Sequence, residues 1–303
     1  FSYLYKYDNN KFLIQHSLTN FYFFGTIDPF FNNLTIDNNG NLWFFFYNSL
    51  FSIITGIPTQ IAETYNIRGS HKNVIFDNAN TLWLLSGDYV DGYSWLIRLE
   101  KEIYRYTFNF KRQGLGPGTD NILAVSINQD NRMLIGSRRG IAEYFKSKWI
   151  ISAFDDEPIQ LLDYAPSAFA FEDDQWIWVG GNGLIRFDWI NITDNSQHLP
   201  THSARTMVFD KNRILWIGFG QDGYGAIGYD GTSWHRYTTA NGLTNDNVYA
   251  ISVNKSNAKW FGTSNGLSRF DGTTWTSLST AENGNPVGMV TTLAFDTQDI
   301  LWT

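Results

Sequence analysis

The sequence predicts an all-β fold: a seven-bladed β-propeller of four-stranded antiparallel blades, its ring closed by a blade shared between the two chain ends. Three observations carry that expectation. An acidic or amide residue recurs six positions before a large apolar residue, usually Trp. Each such pair follows a strand with one bulky and one slender face. The two ends of the chain carry complementary halves of the same repeat.

The pairs are Asp37 and Trp43, Asp77 and Trp83, Asn128 and Leu134, Glu172 and Trp178, Asp210 and Trp216, Asn254 and Trp260, and Asp296 and Trp302. Successive first members are 40, 51, 44, 38, 44 and 42 residues apart, which fits the roughly 40–50 residues of a four-stranded propeller blade. One and three positions before each first member stand large apolar residues, as in Ile36 and Leu34 or Phe171 and Phe169. Two and four positions before it most residues are small, as in Ser126 and Ala124 or Ala170 and Ala168. Alternation with period two marks a strand. A bulky face opposite a slender one suits the crowded innermost strand of a propeller, where the large side chains of one blade fill the space left by the small ones of the next.

A second strand follows each Trp and runs into glycine, as in Trp260-Phe261-Gly262-Thr263-Ser264-Asn265-Gly266. Such glycines suit a tight reversal with positive φ. Leu267-Ser268-Arg269-Phe270 then reads as a third strand, and Asp271-Gly272-Thr273-Thr274-Trp275 as the turn into a fourth. Asp230-Gly231-Thr232-Ser233-Trp234 repeats that turn, and Tyr7-Asp8-Asn9-Asn10-Lys11-Phe12 matches it in placing an aromatic four residues after Asp. Residues 1 to about 16 therefore supply the third and fourth strands of a closing blade, and about 289–303 supply its first and second. All 303 residues are expected to form one propeller, whose closure leaves no open inter-blade face.

Composition narrows the function classes. Lys and Arg number 22 against 29 Asp and Glu, a net charge of −7 without basic runs, which argues against a nucleic-acid partner. The absence of cysteine removes disulfides, thiolate metal sites and cysteine nucleophiles. Aromatics are 17% of the chain, which points to a large β-rich core. The most apolar stretch, residues 42–57, is interrupted by polar residues and is shorter than the roughly 20 residues of a spanning helix, so no membrane span is expected. No signal peptide is visible at the start.

The run Trp260-Phe261-Gly262-Thr263-Ser264-Asn265-Gly266-Leu267-Ser268-Arg269-Phe270-Asp271-Gly272-Thr273-Thr274-Trp275 resembles the two-component regulator propeller repeat. So does the linker Asn241-Gly242-Leu243-Thr244-Asn245-Asp246-Asn247-Val248, with Gly114-Leu115-Gly116-Pro117-Gly118-Thr119-Asp120-Asn121-Ile122 as a longer version. The resemblance implies an extracytoplasmic bacterial module (periplasmic, cell-surface or secreted) that belongs to a larger sensor protein or assembly. It also implies non-catalytic recognition of a glycan or a protein partner.

Binding residues are expected where the chain departs from its repeat, because loops on a rigid scaffold carry function. The longest repeat has extra residues at 87–93 and 111–118, and the fifth at 220–224. Tyr89, Tyr93, Trp95 and Tyr224 offer stacking surfaces for sugar rings or a partner. Arg138, Arg139, Asn182, Arg205, Asn245 and Asp246 offer hydrogen bonds. These elements are expected to meet on the face that carries the second-to-third-strand loops and the blade linkers.

Catalysis is the alternative, as a metal-assisted lyase or hydrolase at the central channel. The streptogramin-lyase propellers use histidines and an acid with magnesium, but no motif of theirs matches here. His198 and His202 stand four apart in a linker, not on a helix, and Asp155-Asp156-Glu157 and Glu172-Asp173-Asp174 read as solvated turns. No Gly-x-Ser-x-Gly elbow, Walker loop or dinucleotide fingerprint is present. No cofactor, catalytic residue or metal ligand is assigned. A third possibility is a structural module of a secreted or envelope assembly, docking another protein through its aromatic loops.

Overall fold

The computed structural model describes residues 3–8, 11–17, 31–46, 49–53, 58–60, 70–87, 94–99, 103–106, 108–109, 114–115, 122–137, 140–146, 148–153, 166–181, 183–200, 204–280 and 286–303. Their regular structure is antiparallel strand, with two short 3₁₀ turns. Among the described residues no helix is long and apolar enough to cross a membrane.

The structure shows six four-stranded antiparallel blades built from contiguous chain, where the sequence predicts seven with the last shared between the chain ends; a further four-stranded sheet joins those ends. Blade 1 comprises Phe31–Ile36, Leu42–Phe46, Ser49–Ile53 and Pro58–Gln60. Blade 2 comprises Ser70–Phe76, Leu82–Gly87, Ser94–Leu99 and Ile103–Tyr106. Blade 3 comprises Ile122–Ile127, Met133–Ser137, Gly140–Phe145 and Lys148–Ala153. Blade 4 comprises Ala168–Phe171, Ile177–Gly180, Leu184–Phe187 and Ile192–Asp194. Blade 5 comprises Thr206–Phe209, Leu215–Gly218, Ala226–Tyr229 and Trp234–Tyr237. Blade 6 comprises Val248–Val253, Lys259–Thr263, Gly266–Phe270 and Trp275–Leu278. The remaining sheet joins the chain ends, in the order Lys11–Ser17, Tyr3–Asp8, Leu301–Trp302, Ala294–Phe295. Lys6 pairs with Trp302 and Tyr7 with Leu301 across that junction. The longest repeat also holds a two-stranded ribbon, Phe108–Asn109 with Gly114–Leu115.

Adjacent sheets share hydrophobic cores built on the expected complementarity. Ala124, on the slender face of blade 3, packs with Leu134 and Ile141 against Phe169, Val179 and Ile185 of blade 4. Ala294 and Trp302 of the end-joining sheet pack on Leu34, Leu42 and Phe44 of blade 1. On its other side, Leu301 and Phe295 pack on Trp260 and Leu267 of blade 6. The end-joining sheet thus packs on blade 1 at one side and on blade 6 at the other.

The second-strand glycines do a different job from the one expected. Gly136, Gly180, Gly218 and Gly262 are not in the left-handed region. A Cβ on Gly262 would lie 2.8 Å from both Cγ1 and the carbonyl oxygen of Val290, and one on Gly218 would lie 2.7 Å from Cγ1 of Val248. These positions let one blade touch the segment that enters the next. Gly266, at φ +92°, does serve the reversal into the third strand.

The recurrent acid closes the turn between first and second strands. Asp37 Oδ1 accepts the backbone N–H groups of Asn39 and Asn41 at 2.9 and 2.8 Å, and Oδ2 accepts Trp43 Nε1–H at 3.0 Å. Asp77, Asp210 and Asp296 hold Trp83, Trp216 and Trp302 in the same way, at 3.1, 3.2 and 3.1 Å. Three residues after the acid the backbone turns left-handed, at Gly40, Asn80, Asn131, Arg213, Asn257 and Asp299. Asn and Asp tolerate that conformation, and here they also link blades. Asn80 Oδ1 accepts the Asn38 N–H of the preceding blade at 2.8 Å, Asn131 Oδ1 that of Asn78 at 2.7 Å, Asn257 Oδ1 that of Lys211 at 2.7 Å, and Asp299 Oδ1 that of Lys255 at 2.8 Å. The donors' side chains reach across as well: Lys211 Nζ donates to Lys255 O, and Lys255 Nζ to Thr297 O, both at 2.6 Å. The result is a hydrogen-bonded belt on one face of the ring. At the junction between the end-joining sheet and blade 1 the linking position is Gly40, beside Thr297.

Gly262→Ala should lower the melting midpoint, since overpacking a fixed neighbour costs about 1–3 kcal/mol. An unchanged calorimetric trace would contradict the close approach. Gly40→Asn should raise the midpoint by supplying the missing link, worth about 1 kcal/mol, whereas Gly40→Ala, left-handed without an acceptor, should lower it. Equal effects of the two substitutions would show that the belt contributes nothing at that junction.

Candidate functional site

Antiparallel alternation sends the first-to-second and third-to-fourth turns of every blade to the belt face. In blades 5 and 6 the second-to-third loops, 219–225 and 264–265, and the linker between them, 238–247, meet on the opposite, loop face. Of the residues expected to bind there, Tyr89, Tyr93, Arg138, Arg139 and Asn182 lie outside the described residues, as does the side chain of Trp95, whose backbone is in the third strand of blade 2. The other four lie in the segment that enters blade 5, in its second-to-third loop and in the linker to blade 6. The Asp246 carboxylate accepts the Thr239 N–H at 2.6 Å, and its carbonyl accepts that of Gly225 at 2.8 Å. Asn245 Oδ1 accepts the Asn247 N–H at 2.9 Å. Both side chains hold the backbone of the linker. Arg205 is exposed, its stem lying over Gly220. Tyr224 is half-buried, edge-on to Phe219. The Arg236 guanidinium sits 5.5 Å from the Tyr224 ring centre, and Arg236 Nε donates to the Tyr224 carbonyl at 2.9 Å. Arg236 escaped the sequence reading because it sits on a fourth strand, not in an insertion.

The His198 ring stacks on Trp234 at 4.7 Å; His202, Asp155, Asp156 and Glu157 lie outside the described residues. Among the described residues no three His, Asp or Glu side chains converge as a metal ion would require.

The belt face carries a recess that the sequence reading missed: a cavity of about 550 Å³ between blades 4 and 5. One wall is a cross-strand row of blade 4, Trp178 beside Arg186 beside Thr193. The facing wall is Phe209 and Tyr229 of blade 5, and Asn195, Asn212, Arg213 and Asp230 complete the rim. Blade 4 departs from the repeat here because its first member is Glu172. The expected cap is made by its neighbour: Asp173 Oδ1 accepts the N–H groups of Gln175 and Trp176 at 2.9 and 2.7 Å. The longer Glu172 keeps the indole bond, from Trp178 at 2.7 Å, and reaches Arg186 with both oxygens, at 2.6 and 2.8 Å. The Arg186 guanidinium lies 3.8 Å from the centre of the Trp176 ring. Arg213 Nη2 stands 3.4 Å from Asp173 and 3.8 Å from Glu172.

The carboxylates around this cleft stay ionised. Burial pushes Glu172 up, but hydrogen bonds from Arg186 and Trp178 and the Arg186 charge outweigh it and hold the group below its ordinary value. Asp173 is likewise raised by burial and brought below its ordinary value by the Trp176 and Gln175 N–H groups and Arg213. The Ser233 N–H above all, with the hydroxyl and N–H of Thr232, holds Asp230 at about 2.

A second recess, of about 400 Å³, lies where Ser126, Ala170 and Val208, the slender inner-strand positions, line the central channel.

Glu172→Gln should lower stability at pH 7 by about 1–3 kcal/mol, the cost of depriving a mostly buried guanidinium of its partner. A depressed carboxyl contributes stability above its unfolded pKa and loses it as pH falls through the folded value. The gap between variant and wild type should therefore close on acidification below about pH 4.5. A pH-independent gap in denaturant titrations would contradict the ion pair's role.

No protein-family profile and no curated protein matches the sequence. Solved structures nonetheless share the fold. The extracellular domain of a candidate hybrid two-component system from B. thetaiotaomicron matches with a TM-score of 0.70 and 13% identity, over 90% of this chain and 39% of its own. A second such domain from the same organism matches at 0.66 and 19%, over 88% of this chain and 35% of its own. The chain thus spans well under half the length of these two structures. A catalytically inactive virginiamycin B lyase from Staphylococcus aureus, solved with quinupristin, matches at 0.66 and 14%, over 99% of this chain and 97% of its own. What the chain shares with the extracellular domains of two-component sensors is the propeller of four-stranded antiparallel blades.

Proposed function

We propose that the 303 residues act as one non-catalytic recognition module, outside the cytoplasm of a bacterium, within a larger signalling protein. The ligand is a glycan or a protein, read by the loop face. The observation that carries this is the second-to-third loop of blade 5, which presents Tyr224 against Arg236 and, at Gly220, meets the exposed Arg205, all on a rigid ring. A ring built this way has little order left to gain on binding, and preorganisation favours affinity. The fold likeness to extracellular sensor domains supports both the sensor role and the location. A lyase is the second reading, favoured by the nearly end-to-end likeness to virginiamycin B lyase. It requires acid–base or metal chemistry at the channel, where the described lining holds Asp130, Asp173 and Asp174 beside Ser126, Ala170 and Val208.

A thermal-shift screen against a glycan panel, with and without divalent cations, separates these. A midpoint rise with a glycan that Arg205→Ala and Tyr224→Ala abolish supports the proposal. No shift with any glycan, together with capture of a stable protein partner, would replace it with the assembly role. Turnover dependent on a cation would replace it with the lyase.

A further inference from the structure

We infer that the cleft between blades 4 and 5 is a binding site for a neutral, polyhydroxylated ring such as a sugar unit, separate from the loop face. Its size falls within the 300–1,000 Å³ of small-molecule sites.

The opening has a structural cause. At the neighbouring junctions a cation fills the corresponding space. Between blades 5 and 6, Lys259 of blade 6 crosses to Asp210 of blade 5, 3.3 Å away. Gly228 stands opposite Trp216 where blade 4 has Arg186 opposite Trp178. Between blades 3 and 4, Arg132 pairs with Glu143 at 2.5 Å and extends to the Asp173 and Asp174 carbonyls. At the blade 4–5 junction the residue matching Lys259 is Leu215, which sends no charge across. Of the two cations there, Arg186 belongs to blade 4 and is held against that blade's own Glu172 and Trp176, and Arg213 of blade 5 reaches Asp173 and Glu172 only at the lip. The space beside blade 5 is left open.

The chemistry of the walls selects the ligand. Glu172 and Asp230 face Arg186 and Arg213, so the opposite charges on the lining balance. An anion meets the carboxylates and a cation meets the guanidiniums. A hydroxyl group both donates and accepts, so it satisfies either kind of wall. Asn195, Asn212 and Thr193 extend that dual character, and Tyr229 and Phe209 supply apolar surface for the C–H groups of a ring. The strongest polar groups are fixed by one another: Glu172 by Arg186 and Trp178, and Tyr229 by its hydroxyl bond to the Gly231 carbonyl at 2.8 Å and by stacking on Trp234 at 4.2 Å. Arg213, at the lip and 63% exposed, is held only by longer contacts to Asp173 and Glu172, 3.4 and 3.8 Å, and is the cation of the lining most open to a ligand.

The test is calorimetric titration of the whole chain with cellobiose, maltose, xylobiose and mannobiose. Digalacturonate and chitosan disaccharide serve as anionic and cationic controls. Saturable binding of at least one neutral sugar is expected. Arg213→Asn, which suits the left-handed backbone, and Asp230→Asn, which keeps the turn cap, should each weaken it about tenfold or more. Arg205→Ala on the loop face should leave it unchanged. Loss of binding in Arg205→Ala alone would move the sugar to the loop face and overturn the cleft assignment while sparing the proposed function. Binding of a charged control only, or of no probe, would overturn the inference outright.

Discussion

A carboxylate in most of the turns ties the local fold to the ring. In most repeats the turn after the inner strand brings backbone N–H groups and an indole N–H to one point, in a place with little access to water. Asp37 and Asp210 are only 4% and 5% exposed. A single Asp satisfies the turn with one oxygen and the Trp with the other. The Trp then lies between blades, as Trp43 does against Phe76 at 5.3 Å and Trp216 against Phe261 at 5.6 Å. A strand-to-strand turn is thereby coupled to blade-to-blade packing. Asn128 and Asn254 keep the cap but lack the second carboxylate oxygen.

The same junctions are where the repeats diverge. The inner halves are uniform because every wedge of the ring must fit the next. The outer halves carry a cation whose source changes from place to place: Arg132 from a second-strand approach, Arg186 from a third strand, Lys259 from a second strand of the following blade. Moving the charge from one blade to its neighbour fills one junction and empties another without disturbing the core. A repeat scaffold can in this way acquire a pocket with little change to its framework.

Much of the fold was legible because each repeat solves one problem with the same residues. The Asp–Trp spacing is a hydrogen bond, the period-two strand is a wedge, and the aromatic after Asp8 marks the half-blade that pairs with Leu301 and Trp302. Gly262 was misread because its reason is not local: the turn it seemed to serve belongs to Gly266, and what Gly262 avoids is Val290 of the following segment. Arg205 and Tyr224 stood out as departures from the repeat, while Asn245 and Asp246 proved to be its linker chemistry. The cleft was hidden by a difference of one methylene. Glu172 reads as another turn acid until Arg186 and Trp176 are seen around it and Asp173 is seen to have taken over the cap.

The dependence of the ring on this carboxylate is most directly tested by a double-mutant cycle between Asp77 and Trp83 in denaturant titrations. Asp77→Asn keeps the turn cap and removes the acceptor for the indole, and Trp83→Phe removes the indole donor. A coupling of about 1–2 kcal/mol is expected, the worth of a charge-assisted hydrogen bond out of water. Additive losses with no coupling would mean that the Asp shapes its turn alone and that the Trp is held between blades by packing only.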